Sequence, residues 1–163
     1  MKVKLVVFGM LLAVALAFGA PTVLAQVSQT DMLQQLRADI QADRQAVVAA
    51  NLGLTDVQGA AFWPVYREYR AEMGKVGDRL QKLIQDYAKV YESVTEQQAK
   101  IMVDEMLAIG RDDLKVREAY LPRFRKVLPE TKVARFLQIE NKIDAVIKFQ
   151  LADIIPLAKA AKK

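Results

Sequence analysis

Apolar side chains recur every three or four residues along most of the chain, which is the spacing of an amphipathic helix. Between Thr30 and Asn51 the apolar positions on one stripe are Leu33, Leu36, Ile40 and Val47. The same spacing continues through residues 56–92, 96–127 and 130–154. No stretch shows the two-residue alternation that is typical of a half-buried β-strand. The pattern therefore predicts an all-α chain of four helices.

Each predicted helix has an apolar stripe that we expect to face a core. The third helix carries Ile101, Met102, Met106, Ile109, Val116, Tyr120, Phe124 and Val127 on its stripe. The fourth carries Val133, Phe136, Leu137, Ile143, Val146, Ile147 and Leu151.

Two capping boxes set the starts of the long central helices. Thr55 is followed three residues later by Gln58, and Thr95 by Gln98. In such a pair each side chain satisfies a backbone N–H that the first helical turn leaves free. Gly53 suits the left-handed residue that closes the preceding helix. Pro129 suits the start of the fourth helix.

Prolines stand inside both long helices, at Pro64 and Pro122. A proline in a helix interior removes a backbone hydrogen bond and crowds the preceding turn. We therefore expect a kink or a restart at each of these positions.

The two central helices are long for a chain of this size. Each exceeds 30 residues, which corresponds to roughly 50 Å at 1.5 Å per residue. They should form a thin, bent helical hairpin plate, which cannot bury both of its faces. A homodimer would cover the remaining apolar surface. The alternative is a monomeric four-helix bundle with short loops.

Residues 1–25 have the features of a cleavable signal peptide. Lys2 and Lys4 precede an apolar run from Leu5 to Ala20, and Val23-Leu24-Ala25 offers a small-residue cleavage site. The run of about 16 residues is short for a membrane span of roughly 20, although an uncleaved anchor is the alternative. We expect an exported, periplasmic protein whose mature chain, residues 26–163, forms a single domain.

The chain contains neither cysteine nor histidine. This excludes disulfides, cysteine nucleophiles, Ser-His-Asp triads and metal sites built from those two side chains. Carboxylate-only sites stay open, but no Asp-rich calcium loop is present. Acidic pairs such as Asp104-Glu105 and Asp112-Asp113 have the character of helix-surface charges. We expect no enzymatic activity, no cofactor and no metal.

Basic residues are concentrated in the second half of the chain. The net charge is +5, and it becomes +3 once Lys2 and Lys4 leave with the signal peptide. Residues 115–135 hold seven basic side chains against Glu118 and Glu130. Such a field attracts acidic partners, whether anionic lipid, a polyanion or acidic protein segments, and we do not expect nucleic acid as the partner of an exported protein. The alternative is an ordinary solvated helix face.

The Leu-Thr-x-x-Gln motif at Leu54, Thr55 and Gln58, together with the signal and the all-helical chain, resembles the Spy/CpxP family of periplasmic proteins. A degenerate second copy stands at residues 128–132, before the last helix. The resemblance implies an antiparallel, cradle-shaped homodimer that acts as an ATP-independent chaperone for unfolded or partly folded clients. Some relatives instead bind the periplasmic domain of an envelope-stress sensor kinase. Others sense metals through histidines, which this chain lacks.

If the chain is a chaperone of this kind, arginines on its surface would attract acidic clients and apolar contacts would retain them. The candidate client-binding residues are Arg37, Arg44, Arg67, Arg70, Arg117, Arg123 and Arg125.

Overall fold

The computed structural model describes residues 43–159, and within that range the chain forms four helices and no β-strand. The described part of α1 is residues 43–52, and it is followed by α2 (Asp56–Ala88), α3 (Glu96–Val127) and α4 (Glu130–Ile154). The all-α prediction is confirmed. The predicted signal peptide and residues 30–42 of the first predicted helix lie outside the described range.

The starts of α2 and α3 follow from local sequence. Gly53 adopts a φ of 61°, which a residue without a Cβ reaches at little cost. The Thr55 hydroxyl accepts a hydrogen bond from the Gln58 backbone N–H, and the Gln58 side chain accepts one from the Thr55 N–H. Thr95 and Gln98 repeat this reciprocal arrangement at α3.

The second helix ends at Ala88, four residues before the predicted end at residue 92. Beyond Ala88 the backbone hydrogen bonds tighten to a three-residue spacing, as in the bond from the Val90 N–H to the Tyr87 carbonyl. The C-terminal segment is hydrogen-bonded to this turn, since the Lys159 N–H donates to the Tyr91 carbonyl at 2.8 Å. The helix therefore gives way to a turn that is bonded to distant backbone.

Neither internal proline ends its helix, since α2 continues through Pro64 and α3 through Pro122. Pro129 is the N-cap of α4, with a φ of −60° and a ψ of 148°. It stands one position before the predicted first turn, and it makes no side-chain capping bond.

The helices α2 and α3 run antiparallel to each other. Near the start of α2, Phe62 contacts Phe124 near the end of α3, with ring centroids 5.7 Å apart. Further along, Arg79 binds Asp112 at 2.5 Å. The fourth helix returns along this pair, and after it the Pro156 carbonyl accepts a hydrogen bond of 2.6 Å from the Tyr87 hydroxyl.

The core lies where the four helices converge, at the end of the molecule that holds the start of α2. Its centre is a group of rings in which Phe124 and Phe136 approach to 4.6 Å between centroids. Edge-to-face contacts of Phe136 with Phe62 and Tyr69 extend this group. The buried members are Val48, Leu52, Phe62, Tyr66, Tyr69, Met73, Phe124, Leu128, Val133, Phe136 and Ile139.

The other half of the α2–α3 pair is less thoroughly buried. The buried residues of α2 all lie between Phe62 and Met73. In the first half of α3 the buried residue is Ile109. Arg79 supports this half through its bonds to Glu105 and Asp112, each at 3.0 Å or less. Apolar packing is therefore concentrated at one end of the molecule, whereas the other end depends more on ion pairs at the surface.

Candidate functional site

Three of the predicted client-binding arginines meet inside the molecule. Arg44 on α1 binds Glu140 at 2.9 Å and Asp144 at 2.7 Å, both on α4. Arg70 on α2 reaches the same Glu140 oxygen at 3.3 Å, and Arg117 on α3 binds Asp144 at 2.7 Å. This network joins all four helices. Glu140 is 0% exposed and Arg44 5%, so these charges are neutralised in the interior.

Burial disfavours the charged form of both carboxylates in this network, with opposite net results for their pKa values. Loss of water raises the pKa of Glu140 above its ordinary value, although the neighbouring Arg44 and Arg70 oppose the change. Burial acts in the same direction on Asp144, but the hydrogen bonds from Arg44 and Arg117 outweigh it and lower its pKa. Burial also raises the pKa of Tyr69 to about 12.

The remaining predicted arginines lie near the surface. Arg123 binds Glu68 at 2.6 Å and sits over the Tyr120 ring, 4.8 Å from its centroid. Arg125 binds Glu130 at 2.7 Å.

Arg67 is exposed and lines a groove beside α1, together with Arg70 and Lys75. It makes no ion pair with any residue between 43 and 159. Arg37 lies outside the described residues.

The motif residues have structural roles at the turn between α1 and α2. Leu54 is half-buried and packs against the core. Thr55 and Gln58 form the capping box described above. Lys132 on α4 donates to the Gln58 side-chain oxygen at 2.9 Å and also to the Gly53 carbonyl. The motif therefore holds the turn and connects it to α4.

A groove between α1 and α4 brings apolar and cationic side chains together. Its lining includes Val47, which is 41% exposed, and the cationic side chains Arg135 and Lys142. Arg135 is held in place because its Nε donates to the Asn51 carbonyl at 2.6 Å. The lining residues are Val47, Asn51, Arg135, Gln138, Ile139, Lys142 and Ile143.

Beyond Ile143, the apolar side chains on this side of α4 form a row that extends past the groove and is exposed to solvent. Val146 is 58% exposed and Phe149 is 76% exposed. Val146 lies three residues beyond Ile143 and four beyond Lys142, and Phe149 lies three residues beyond Val146, so both share that side of the helix. We call the combined area the α1–α4 surface, and it comprises Val47, Arg135, Ile139, Lys142, Ile143, Val146 and Phe149.

The stripe prediction was wrong for four residues, of which Val47 on α1 is 41% exposed. Val146 on α4 faces solvent, and on α3 Ile101 and Met106 are 57% and 55% exposed. Sequence reasoning also missed Arg135 and Lys142 as groove residues. Their seven-residue separation on one side of α4, beside the apolar row, is the signal that could have identified them.

A second exposed apolar strip lies on α3. Val103, Leu107 and Leu114 are 51%, 52% and 55% exposed. The spacing of four and seven residues places them along one line of the helix. Rows of exposed apolar side chains thus lie on both α3 and α4.

The described residues contain neither a group of metal ligands nor a helix suited to span a membrane. Between residues 43 and 159 no three acidic, histidine or cysteine side chains are grouped so that they could hold a metal ion. No helix in the same range combines the length and the apolar character that a membrane span requires. The arrangement provides mixed apolar and cationic contact surfaces.

Comparison of the chain with protein-family models, with curated proteins and with solved structures found no match.

Proposed function

We propose that the chain is an exported, periplasmic chaperone of the Spy/CpxP type, which holds unfolded or partly folded proteins without ATP and works as a homodimer. The observation that carries the proposal is the α1–α4 surface, where Val146 and Phe149 are exposed to water on the helix that also presents Arg135 and Lys142. A folded monomer gains nothing from leaving Phe149 in water, whereas a surface for apolar partners needs such side chains.

The two kinds of side chain would act in sequence on a client. The cations attract acidic segments over a distance of roughly a Debye length, about 8–10 Å in physiological salt. Apolar contact then retains the client, and full burial of a side chain such as Val146 or Phe149 contributes about 1.5–3 kcal/mol. A few such contacts hold a non-native chain weakly and without a sequence requirement.

The predicted arginines contribute unequally in this proposal. Arg44, Arg70 and Arg117 serve the interior network, so we do not assign them to client contact. Arg67, Arg123 and Arg125 retain surface positions and can add to the attraction. At the α1–α4 surface, we assign the attraction of clients to Arg135 and Lys142 instead.

The homodimer and the thin plate belong to the same proposal. Support comes from the less buried half of the α2–α3 pair, away from the core, where Ile109 is the buried residue of α3. Exposed apolar groups on that half, such as Leu107 and Leu114, favour association of two chains. No catalytic activity is part of the proposal, because the usual nucleophile–base sets that use histidine or cysteine are missing from this sequence.

Light scattering tests the proposal directly. An acidic client that aggregates when its disulfides are reduced is mixed with an equimolar amount of residues 26–163, and the reductant leaves this cysteine-free chain unchanged. We expect suppressed scattering at low salt and weaker suppression at 0.5 M salt, where screening is stronger. Unchanged scattering at low salt would overturn the proposal.

A pull-down from periplasm separates this function from the alternative of a regulator that binds one sensor kinase domain. A chaperone returns many proteins in small amounts. A single saturable partner, with no effect on the scattering of generic clients, would favour the regulator.

A further inference from the structure

Residues 156–159, which we call the C-terminal strap, lie across the turn between α2 and α3 and have no regular secondary structure. The Lys159 N–H donates to the Tyr91 carbonyl at 2.8 Å, and the Val94 N–H donates to the Lys159 carbonyl at 3.3 Å. Both bonds join backbone to backbone, so they do not depend on the side chains of the strap.

Two side chains near the turn add to these bonds. The Tyr87 hydroxyl donates to the Pro156 carbonyl at 2.6 Å, and Glu92 binds the Lys159 ammonium group at 2.7 Å. Both side chains of the ion pair are more than half exposed. Water competes with exposed bonds of this kind, so the strap can release while the helices stay folded.

The C-terminal half of α4 has few other polar bonds to the rest of the molecule. Asp144 is held by Arg44 on α1 and by Arg117 on α3. Between Asp144 and Pro156, no side chain that the structure describes forms a hydrogen bond or an ion pair with another helix. The strap is therefore the attachment that joins the far end of α4 to the α2–α3 turn.

In this half, α4 carries apolar side chains on two opposite sides. Ile147, Leu151 and Ile155 follow one another at steps of four residues, and all three are half-buried. At ~100° per residue, the exposed Phe149 lies about 160° around the helix from Ile147. We call Ile147, Leu151 and Ile155 the inner row, because their own chain partly covers them whereas Phe149 faces water.

We propose that the C-terminal strap is a latch, and that its release uncovers the inner row as an additional contact surface for an unfolded client. While the strap is bound, the far end of α4 is held at the α2–α3 turn. Once it is released, Asp144 still anchors the first half of α4, and the second half can separate from the molecule. Apolar side chains on both sides of α4 then become available to a client.

An extended segment of the client is the partner that opens the latch. The turn binds the strap through the Tyr91 carbonyl and the Val94 N–H, with which any extended backbone can pair. Most backbone groups of a folded protein are already paired, whereas those of an unfolded chain are free to compete. The strap is tethered to its site, so a client succeeds best when it also binds the α1–α4 surface. The latch therefore favours unfolded over folded partners.

This inference rests on the proposed function, because the inner row serves the same clients, and it adds a control over that function. The latch itself can be tested without any client, by hydrogen exchange of the α4 backbone.

Hydrogen exchange of residues 145–153 reports on the attachment of α4. We expect Tyr87→Phe, which removes the bond to the Pro156 carbonyl, to speed exchange there about fivefold. Glu92→Lys should also speed exchange, because it places two cations together at Lys159. The double variant E92K/K159E should restore the wild-type rate, since it rebuilds the ion pair in reverse.

The matched control is Glu72→Lys, which makes the same change at an exposed ion pair with Lys75, elsewhere on α2. It should leave exchange in α4 unchanged. Unchanged exchange in either Tyr87→Phe or Glu92→Lys overturns the proposal, and so does an equal effect of Glu72→Lys.

A covalent lock tests what release of the strap does. The chain has no cysteine of its own, so a short bismaleimide can join the two thiols of Glu92→Cys/Lys159→Cys, and its thioether bonds withstand the reductant used with the client. The control is the same variant with both thiols blocked by N-ethylmaleimide, which lacks the ion pair and is not joined. We expect the locked chain to need about threefold more protein than the blocked chain for half-suppression of client scattering.

The lock separates failure of the latch from failure of the proposed function. Equal suppression by the locked and the blocked chains, together with suppression by wild type, overturns the inference alone. Absence of suppression from all three proteins overturns the proposed function, and the inference with it.

Discussion

Arg44 and Glu140 form an ion pair of 2.9 Å in which neither side chain is more than 5% exposed. They are 96 residues apart in sequence and join α1 to α4. A buried pair of this kind contributes little net stability when compared with apolar residues of the same volume, but removal of one partner leaves an uncompensated charge. The pair therefore specifies how α1 docks on α4.

Removal of the Glu140 carboxylate should destabilise the protein strongly. We expect Glu140→Ala to lower the free energy of unfolding by about 3 kcal/mol, at the lower end for a broken buried pair, because Arg44 keeps Asp144. Urea denaturation measures the loss. The matched control is Glu130→Ala, which removes the exposed pair with Arg125 and should cost far less, because an exposed ion pair is screened by solvent. Equal losses in both variants would contradict the role of burial.

The pH dependence of stability should have opposite signs at these two carboxylates. Burial raises the pKa of Glu140, so the folded state binds its proton more tightly, and this contribution is present below about pH 4.5 and lost as the pH rises through the raised value. The hydrogen bond from Arg125 lowers the pKa of Glu130, so its contribution is present above about pH 4.5 and lost as the pH falls.

Unfolding of Glu140→Gln and Glu130→Gln at several pH values measures these contributions as differences from wild type. The stability advantage of wild type over Glu140→Gln should be greater at pH 4 than at pH 7. The advantage over Glu130→Gln should shrink at pH 4. A Glu140 difference that shrinks with acid would show that its arginine partners outweigh burial.

The two capping boxes should differ in importance, although their sequences are alike. Gln58 accepts Lys132 from α4 in addition to capping α2, whereas Gln98 makes only bonds within its own cap among the described contacts. We expect Gln98→Ala to cost about 1 kcal/mol, the usual value of a cap, and Gln58→Ala to cost about twice as much. Thermal unfolding of both variants makes the comparison. Similar losses would show that the Lys132 bond adds nothing.

Local sequence was sufficient to predict the helices and their caps. Thr55 with Gln58 and Thr95 with Gln98 are signals that act within four residues, so they need no tertiary information. The end of α2 could not be predicted, because the turn after Ala88 bonds to Lys159, far along the chain.

The spacing of apolar residues also could not predict which positions on each apolar stripe are buried. It shows which residues share a side of a helix, but burial depends on how many neighbours cover that side. Ile101 and Val146 kept the correct spacing and are nevertheless exposed.

Charged residues on apolar stripes were the overlooked signal for the interior network. Arg44 stands four residues after Ile40 and three before Val47, and Glu140 stands four after Phe136. A charge at such a position is either exposed at an edge or paired inside. Arginine on one stripe and carboxylates on another could have predicted the pair, although not its geometry.

Suppression of client aggregation by a variant of the α1–α4 surface tests the central claim most directly. In V146S/F149S both side chains are already more than half exposed, so folding should be unaffected. The control is Val57→Ser, which changes an 82% exposed residue at the start of α2, outside the α1–α4 surface. We predict that V146S/F149S needs about fivefold more protein for half-suppression of light scattering, while Val57→Ser matches wild type. Equal suppression by all three proteins would contradict the account.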